Sequence, residues 1–167
     1  DATGSIDEGE IIINSKNEKV IRVTVNKRYI TLGPIASLIG LAFRVKDPKN
    51  IVVSNTVECE YNGNSNYPHE GVTVALVERG HPGLEQLTHH NPLNTGFPNG
   101  TIKGTIDIPL NAVIGGEDKI GHGWKMLMEC LAAGRGICLP ATAKASSNTS
   151  TLSMLQYAKH RKQFKIP

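Results

Sequence analysis

Long apolar runs are missing from this 167-residue chain. No stretch approaches the roughly 18 consecutive apolar residues of a membrane-crossing helix. Paired cysteines are missing too. Cys59, Cys130 and Cys138 form an odd set without motif spacing, which argues against a disulfide framework and for a reducing, cytoplasmic compartment. There is no Gly-x-Ser-x-Gly elbow, no phosphate-binding loop and no Gly-x-Gly-x-x-Gly, so the sequence signals of a serine hydrolase, a P-loop nucleotidase and a Rossmann domain are lacking. No internal repeat or low-complexity tract is visible. A broad basic face is lacking as well. Lysine and arginine number 18 against 15 acids, for a net charge of +3, and no nucleic-acid partner is expected. The one basic cluster is Lys-His-Arg-Lys-Gln-Phe-Lys at 159–165.

What is present is a globular composition, 39% hydrophobic and 20% charged, enough for one good core or for one domain and a piece of another. Residues 10–115 read as β. Residues 19–31 alternate, with Ile21, Val23 and Val25 opposite Val20, Arg22 and Thr24. Residues 10–15, 54–61, 71–80 and 100–110 show the same period of two, between breaks rich in Gly, Pro and Asn. Residues 36–47 suit a buried strand or a short helix. Phe43 and Val45, next to Arg44 and Lys46, favour a strand. This is the pattern of a mainly β, mostly antiparallel barrel or sandwich.

After Gly123 the period lengthens. Trp124, Leu127, Met128, Leu131, Arg135 and Cys138 recur every three or four residues, as on one helix face. Pro140 lacks an amide donor and should kink or interrupt the helix, and residues 146–151 are poor helix formers. The expected organisation is a β domain over 1–117, then one long kinked helix or two shorter helices over 118–167. Such helices need partners to be stable, so oligomerisation or further helices are expected. The chain opens on Asp1 rather than methionine and closes on Phe-Lys-Ile-Pro after a helical pattern, so a fragment of a larger protein is also expected.

Few residues claim chemistry by type alone. His89 and His90, as neighbours on a strand, would point to opposite faces and could not readily share a metal. Arg135, on an apolar helical face, needs either a structural ion pair or an anionic ligand. Arg161, Gln163 and Phe164 read either as a solvated basic turn, favoured by the helix dipole, or as a diphosphate clamp with Phe164 packed on a nucleoside. Tyr29-Ile30-Thr31 ends a strand just before Gly33-Pro34. Tyr29 and Thr31 share a side there and could present an aromatic ring and a hydroxyl to something flat.

Several stretches together resemble one family. Asn26–Pro48, with its aromatic-Ile-Thr segment and long apolar strand, resembles the acyl-CoA dehydrogenases, most of all the large bacterial members of fatty-acid degradation. Residues 71–85, residues 92–137 and Tyr-Ala-Lys-His-Arg-Lys-Gln-Phe at 157–164 are similar to later segments of that family, in the same order. The resemblance implies a middle β-barrel domain joined to the start of a C-terminal helical bundle. It implies FAD as cofactor, with Tyr29, Ile30 and Thr31 against the flavin ring. Tyr29 stands where the family commonly has tryptophan. It implies that Arg161, Gln163 and Phe164 reach the FAD diphosphate of a neighbouring subunit, hence a homo-oligomer, although Lys165 replaces the usual glycine. Arg135 would lie beside the fatty acyl-CoA. The reaction implied is α,β-desaturation to the trans-2-enoyl-CoA, with an electron-transferring flavoprotein as acceptor. Gly134 stands where some members carry the catalytic glutamate, so no catalytic residue is expected in this chain and the fragment alone should be inactive. Peripheral attachment at the inner face of a bacterial membrane is compatible with the resemblance. The rival expectation is a non-enzymatic β-barrel binding or assembly module with a helical oligomerisation tail.

Overall fold

The computed structural model describes residues 6–49, 51–52, 71–94 and 96–164. Among the described residues six strands are formed: β1 Glu8–Ile13, β2 Lys19–Thr31, β3 Leu38–Lys46, β4 Val72–Glu78, β5 Leu84–His90 and β6 Asn99–Pro109. Among the described residues one α-helix, α1, spans Gly123–His160. The chain divides into two compact units, Asp1–Trp124 and Lys125–Pro167.

The first hairpin shows how local chemistry starts the sheet. Asn14 turns its side-chain oxygen onto the amides of Lys16 and Glu18, both at 2.9 Å, and Asn17 takes the left-handed conformation that asparagine tolerates. That turn sets Ile11 opposite Ile21. The alternation in β2 then puts Ile21, Val23 and Val25 inside and leaves Arg22 and Thr24 outside.

The strands form one mixed sheet in the order β4-β3-β1-β2-β6-β5. Among the described strands only β1 and β3 run parallel. β4 and β5 lie at opposite edges, yet only residues 79–83 join them. Five residues bridge at most roughly 20 Å, less than the roughly 24 Å across six flat strands. The sheet must therefore curl, although no ladder pairs β4 with β5. Inside the curl lie Phe43, Leu41, Ile102, Ile106 and Ile108, each no more than 1% exposed. Leu110, Val113 and Ile120, just after β6, pack against that core. In β4 Thr73, Val74, Ala75 and Val77 are buried, and Leu76 faces solvent. The Thr73 hydroxyl accepts a hydrogen bond from the Gly121 amide at 2.9 Å, which satisfies it in place. At the β2 end of the core, Lys27 ion-pairs with Asp7 at 2.7 Å and donates to the Ala42 carbonyl.

The expected mainly β unit followed by helix is what forms. The barrel or sandwich is a single curled, unclosed sheet. Residues 54–61 lie outside the described residues. The strand at Leu84–His90 was not legible as one, because Leu-Glu-Gln-Leu-Thr-His-His lacks a clean alternation and is half exposed throughout. The helix runs through Pro140 as one element. Proline there forfeits one bond, to the carbonyl of Gly136, and its neighbours sustain the rest of the ladder. The hydroxyls of Thr142, Thr149 and Thr151 each donate to the carbonyl four residues earlier, so they are satisfied along the helix, and the poor formers at 146–151 are helical all the same.

Phe43→Ala should lower unfolding free energy by about 3–5 kcal/mol, read by denaturant melts, because its buried ring leaves a cavity. Arg22 grips Asp107 through Nε and Nη2, both at 2.7 Å. That hydrogen bonding, aided by the guanidinium charge, holds the Asp107 carboxyl below its ordinary value. A lowered folded-state value means the pair's contribution is complete above about pH 4 and fades as pH falls further. Asp107→Asn should therefore lose stability at pH 7 and show a shallower acid limb in melts from pH 5 to pH 2.

Candidate functional site

The end of β2 is where backbone pairing departs from regularity. Between Lys27 and Ile30 β2 advances three residues while β6 advances two, from Ile102 to Gly100. Between Gln86 and His89 β5 does the same against the same two residues of β6. Both neighbours of β6 thus bulge opposite Thr101. A bulge re-aims side chains and frees backbone groups.

The freed groups are recaptured. The Thr101 hydroxyl donates to the Arg28 carbonyl at 3.1 Å. His90 Nε2 lies 3.0 Å from that carbonyl and 3.0 Å from Thr101 Oγ1. A carbonyl only accepts, so Nε2 carries the proton. The His90 ring stacks on Tyr29 at 5.0 Å between centroids and 27° between planes. The Arg28 guanidinium sits 5.8 Å from the Tyr29 ring centre.

The turn that follows is braced from three sides. Leu32 takes a left-handed φ of 61° and donates to the Pro98 carbonyl at 2.8 Å. Gln86 donates its amide to the carbonyls of Gly33 and Ala36, at 2.6 and 3.0 Å. Gly100 lies so close to Pro34 that a Cβ would stand 2.4 Å from the proline Cγ.

Directly opposed residues on neighbouring strands share a face. Thr31 opposes Asn99, and Asn99 opposes His90. The outer face at this end of the sheet therefore carries Thr31, Asn99, Thr101 and His90, with Tyr29 stacked on the last. Tyr29 is 50% exposed. The Thr31 side chain is exposed and has no hydrogen-bond partner among the described residues. Asn99 is 9% exposed, and its Oδ1 has no partner among the described residues. An unpaired buried acceptor of that kind costs about 1–3 kcal/mol.

Of the residues marked from the sequence, Tyr29, Ile30 and Thr31 fall at this site, Ile30 with its side chain against the core. Arg161, Gln163 and Phe164 follow the helix end and are exposed. The Arg161 amide continues the helical ladder to the Tyr157 carbonyl at 2.9 Å. Arg135 is exposed on α1, so the helical spacing that suggested an apolar setting does not bury it within this chain. His90 is set aside on sequence alone, because adjacent strand histidines do not readily share a metal, and Asn99 carries no signal there. The signal that would have found His90 is the short Thr-His-His run before a Pro-rich loop, once β5 is recognised as a strand.

A concavity of about 670 Å³ opens at the other end of β2 between the turns at 14–18 and 81–83. Its charged centre is the Arg22–Asp107 pair, whose groups are already spent on each other. Among the described residues there is no group of three or more His, Cys, Asp or Glu that could hold a metal ion, and no helix is long and apolar enough to cross a membrane.

No family model matches the chain. It is 32% identical over 113 residues to protein HemX of Proteus mirabilis, a match covering 67% of this chain and 59% of that relative. Solved structures are similar over nearly all of it. An acyl-CoA dehydrogenase from Geobacillus kaustophilus superposes with a TM-score of 0.60 at 22% identity, over 98% of this chain and 37% of that one. The butyryl-CoA dehydrogenase of Megasphaera elsdenii gives 0.59 at 19% identity, over 100% and 37%. The FAD complex of PigA gives 0.52 at 22%, over 97% and 41%. The fold is that of a segment of the acyl-CoA dehydrogenases. The chain spans 59% of the curated relative and 37–41% of these solved structures.

Gly100→Ala should push Pro34 away and loosen the 32–36 turn. We expect a stability loss of about 1–3 kcal/mol, with faster amide exchange at Leu32 and Ala36 than at core strand amides such as Ile21.

Proposed function

We propose that the chain is a segment of an FAD-dependent acyl-CoA dehydrogenase that desaturates fatty acyl-CoA to the trans-2-enoyl-CoA. The observation that carries this reading is the braced outer-face patch at the end of β2, found in a fold shared with acyl-CoA dehydrogenases. Its groups fit a flavin. Tyr29 offers a flat apolar body with a polar tip, Thr31 an uncommitted hydroxyl, and Asn99 a buried acceptor in need of a donor. When bound, the flavin supplies hydride acceptance, which no side chain can. Thr31 would hydrogen-bond at the edge of the ring, and Tyr29 would shield it from water. The rigid turn at 32–36 keeps both side chains in place before anything binds, which lowers the entropy lost on binding.

Arg161 and Gln163 would hold the diphosphate of an FAD in a neighbouring subunit, the arginine by charge-assisted hydrogen bonds, with Phe164 on the adenosine. This makes the working protein a homo-oligomer. Arg135 would meet the polar part of the acyl-CoA. An electron-transferring flavoprotein would take the electrons, in the cytoplasm or at the inner face of the membrane. The proton-abstracting carboxylate belongs to another part of the protein. Between Lys125 and His160 Glu129 is the one carboxylate, exposed and 3.9 Å from Lys125, and Gly134 precedes Arg135. By itself the segment would be inactive. The exposed Trp124, Ile137, Leu139 and Leu155 favour the second reading, a binding module with an oligomerising helical tail.

The intact gene product, purified without added cofactor, should show a visible flavin spectrum that bleaches when palmitoyl-CoA is added without oxygen. Thr31→Ala should weaken FAD binding by about three- to tenfold, the worth of one hydrogen bond. A product that takes up no flavin even after incubation with FAD would favour the module instead.

A further inference from the structure

We infer that His90 is a positioning residue for the flat ligand at this site: it fixes the bulge in β2 that presents Tyr29 and Thr31. The inference rests on the flavin reading above and goes beyond it, because His90 lies on a different strand from the residues it positions.

Three observations converge. The bulges in β2 and β5 fall opposite the same residue, Thr101. A bulge leaves backbone groups outside the ladder, and the Arg28 carbonyl is one of them. It is met by two donors, the Thr101 hydroxyl and His90 Nε2–H. The same imidazole lies against Tyr29. One ring thus fixes both the backbone before Tyr29 and the plane of the Tyr29 side chain. With His90 stacked on it and the Arg28 guanidinium 5.8 Å from its ring centre, Tyr29 is still half exposed, which leaves part of the ring and its hydroxyl for a ligand.

β5 is an edge strand. Nothing pairs with its outer side among the described strands, so the tie from His90 back to β2 also holds that edge near its own end. Thr101 alone supplies one donor to the Arg28 carbonyl. It has no ring and cannot set the tilt of Tyr29. The chemistry required at position 90 is therefore a flat side chain with an N–H at the Nε2 position. The inference names no proton transfer and no reaction step for His90.

Two variants separate these contributions. His90→Leu keeps bulk and removes both donor and ring. His90→Gln places an amide N–H near the lost Nε2 and restores the donor alone. The readouts are FAD affinity by fluorescence quenching and the fine structure of the bound flavin's visible bands, on the intact protein. We expect His90→Leu to weaken FAD binding about tenfold, the equivalent of one well-placed hydrogen bond, and to blur the bands. His90→Gln should recover most of the affinity. Nitrogen-15 shifts of the histidine ring in the flavin-free protein should show the proton on Nε2.

If His90→Leu binds FAD as the wild type does, or if His90→Gln is no better than leucine, the inference is wrong. A proton found on Nδ1 instead would also overturn it. A wild type that takes up no FAD at all would overturn the flavin reading first, and this inference with it. A variant that fails to fold would show as a lost melt, and the ring tautomer of the wild type would then decide.

Discussion

The arrangement depends on one strand position. Thr101 of β6 has a bulge on each side of it, and both neighbouring strands are drawn toward it by side-chain hydrogen bonds where ladder bonds are lost. A regular ladder at this point would keep β2 in strict alternation up to the Gly-Pro turn. The added residue lets Ile30 stay against the core while Tyr29 and Thr31 both face outward. The core on one side of β2 and the presented pair on the other are satisfied by the same irregularity. The energetic terms are individually modest, on the order of 1 kcal/mol per hydrogen bond. Their effect is large because they act on neighbouring groups in a turn that Gln86, Pro34 and Gly100 already brace.

A curled sheet is what allows this patch to exist. Its aliphatic lining, from Ile11 to Ile108, holds the strands from inside. The outer face is then free to carry polar pairs such as Arg22–Asp107 and Thr24–Thr105 along β2 and β6. The same two strands therefore serve stability at one end and a candidate binding surface at the other. In solved acyl-CoA dehydrogenases a similar fold is one part of a longer chain.

Much of this was legible before any coordinates. The period of two marked β2 and told Val23 from Thr24, because a single buried face imposes alternation over Ile21–Val25; it could not show that Val20 is buried as well or that the strand bulges between Lys27 and Ile30. The change of period after Gly123 marked α1. Aromatic-Ile-Thr before Gly-Pro pointed to the segment that bulges and carries the candidate patch. Other features were hidden for physical reasons. Periodicity is blind to strand order, so the parallel β1–β3 pair left no trace in it. An edge strand with both faces half exposed has no pattern to read, which hid β5 and the groups that His90 meets across it. Pro140 suggested a break, yet one missing bond in a 38-residue helix is a small loss where its neighbours keep theirs. The helical spacing around Arg135 suggested burial, which requires a covering partner as well as a periodic face. Asn99 is an ordinary strand-start residue in sequence, and its unpaired carbonyl is a property of packing alone.

The most direct test of the central claim is a crystal structure of the intact protein grown with FAD. The account predicts the isoalloxazine against the outer face at the end of β2, within hydrogen-bond reach of Thr31 and beside Tyr29, with the Arg28 carbonyl still held by Thr101 and His90. A flavin seated anywhere else, or a regular unbulged β2 beneath it, would contradict it.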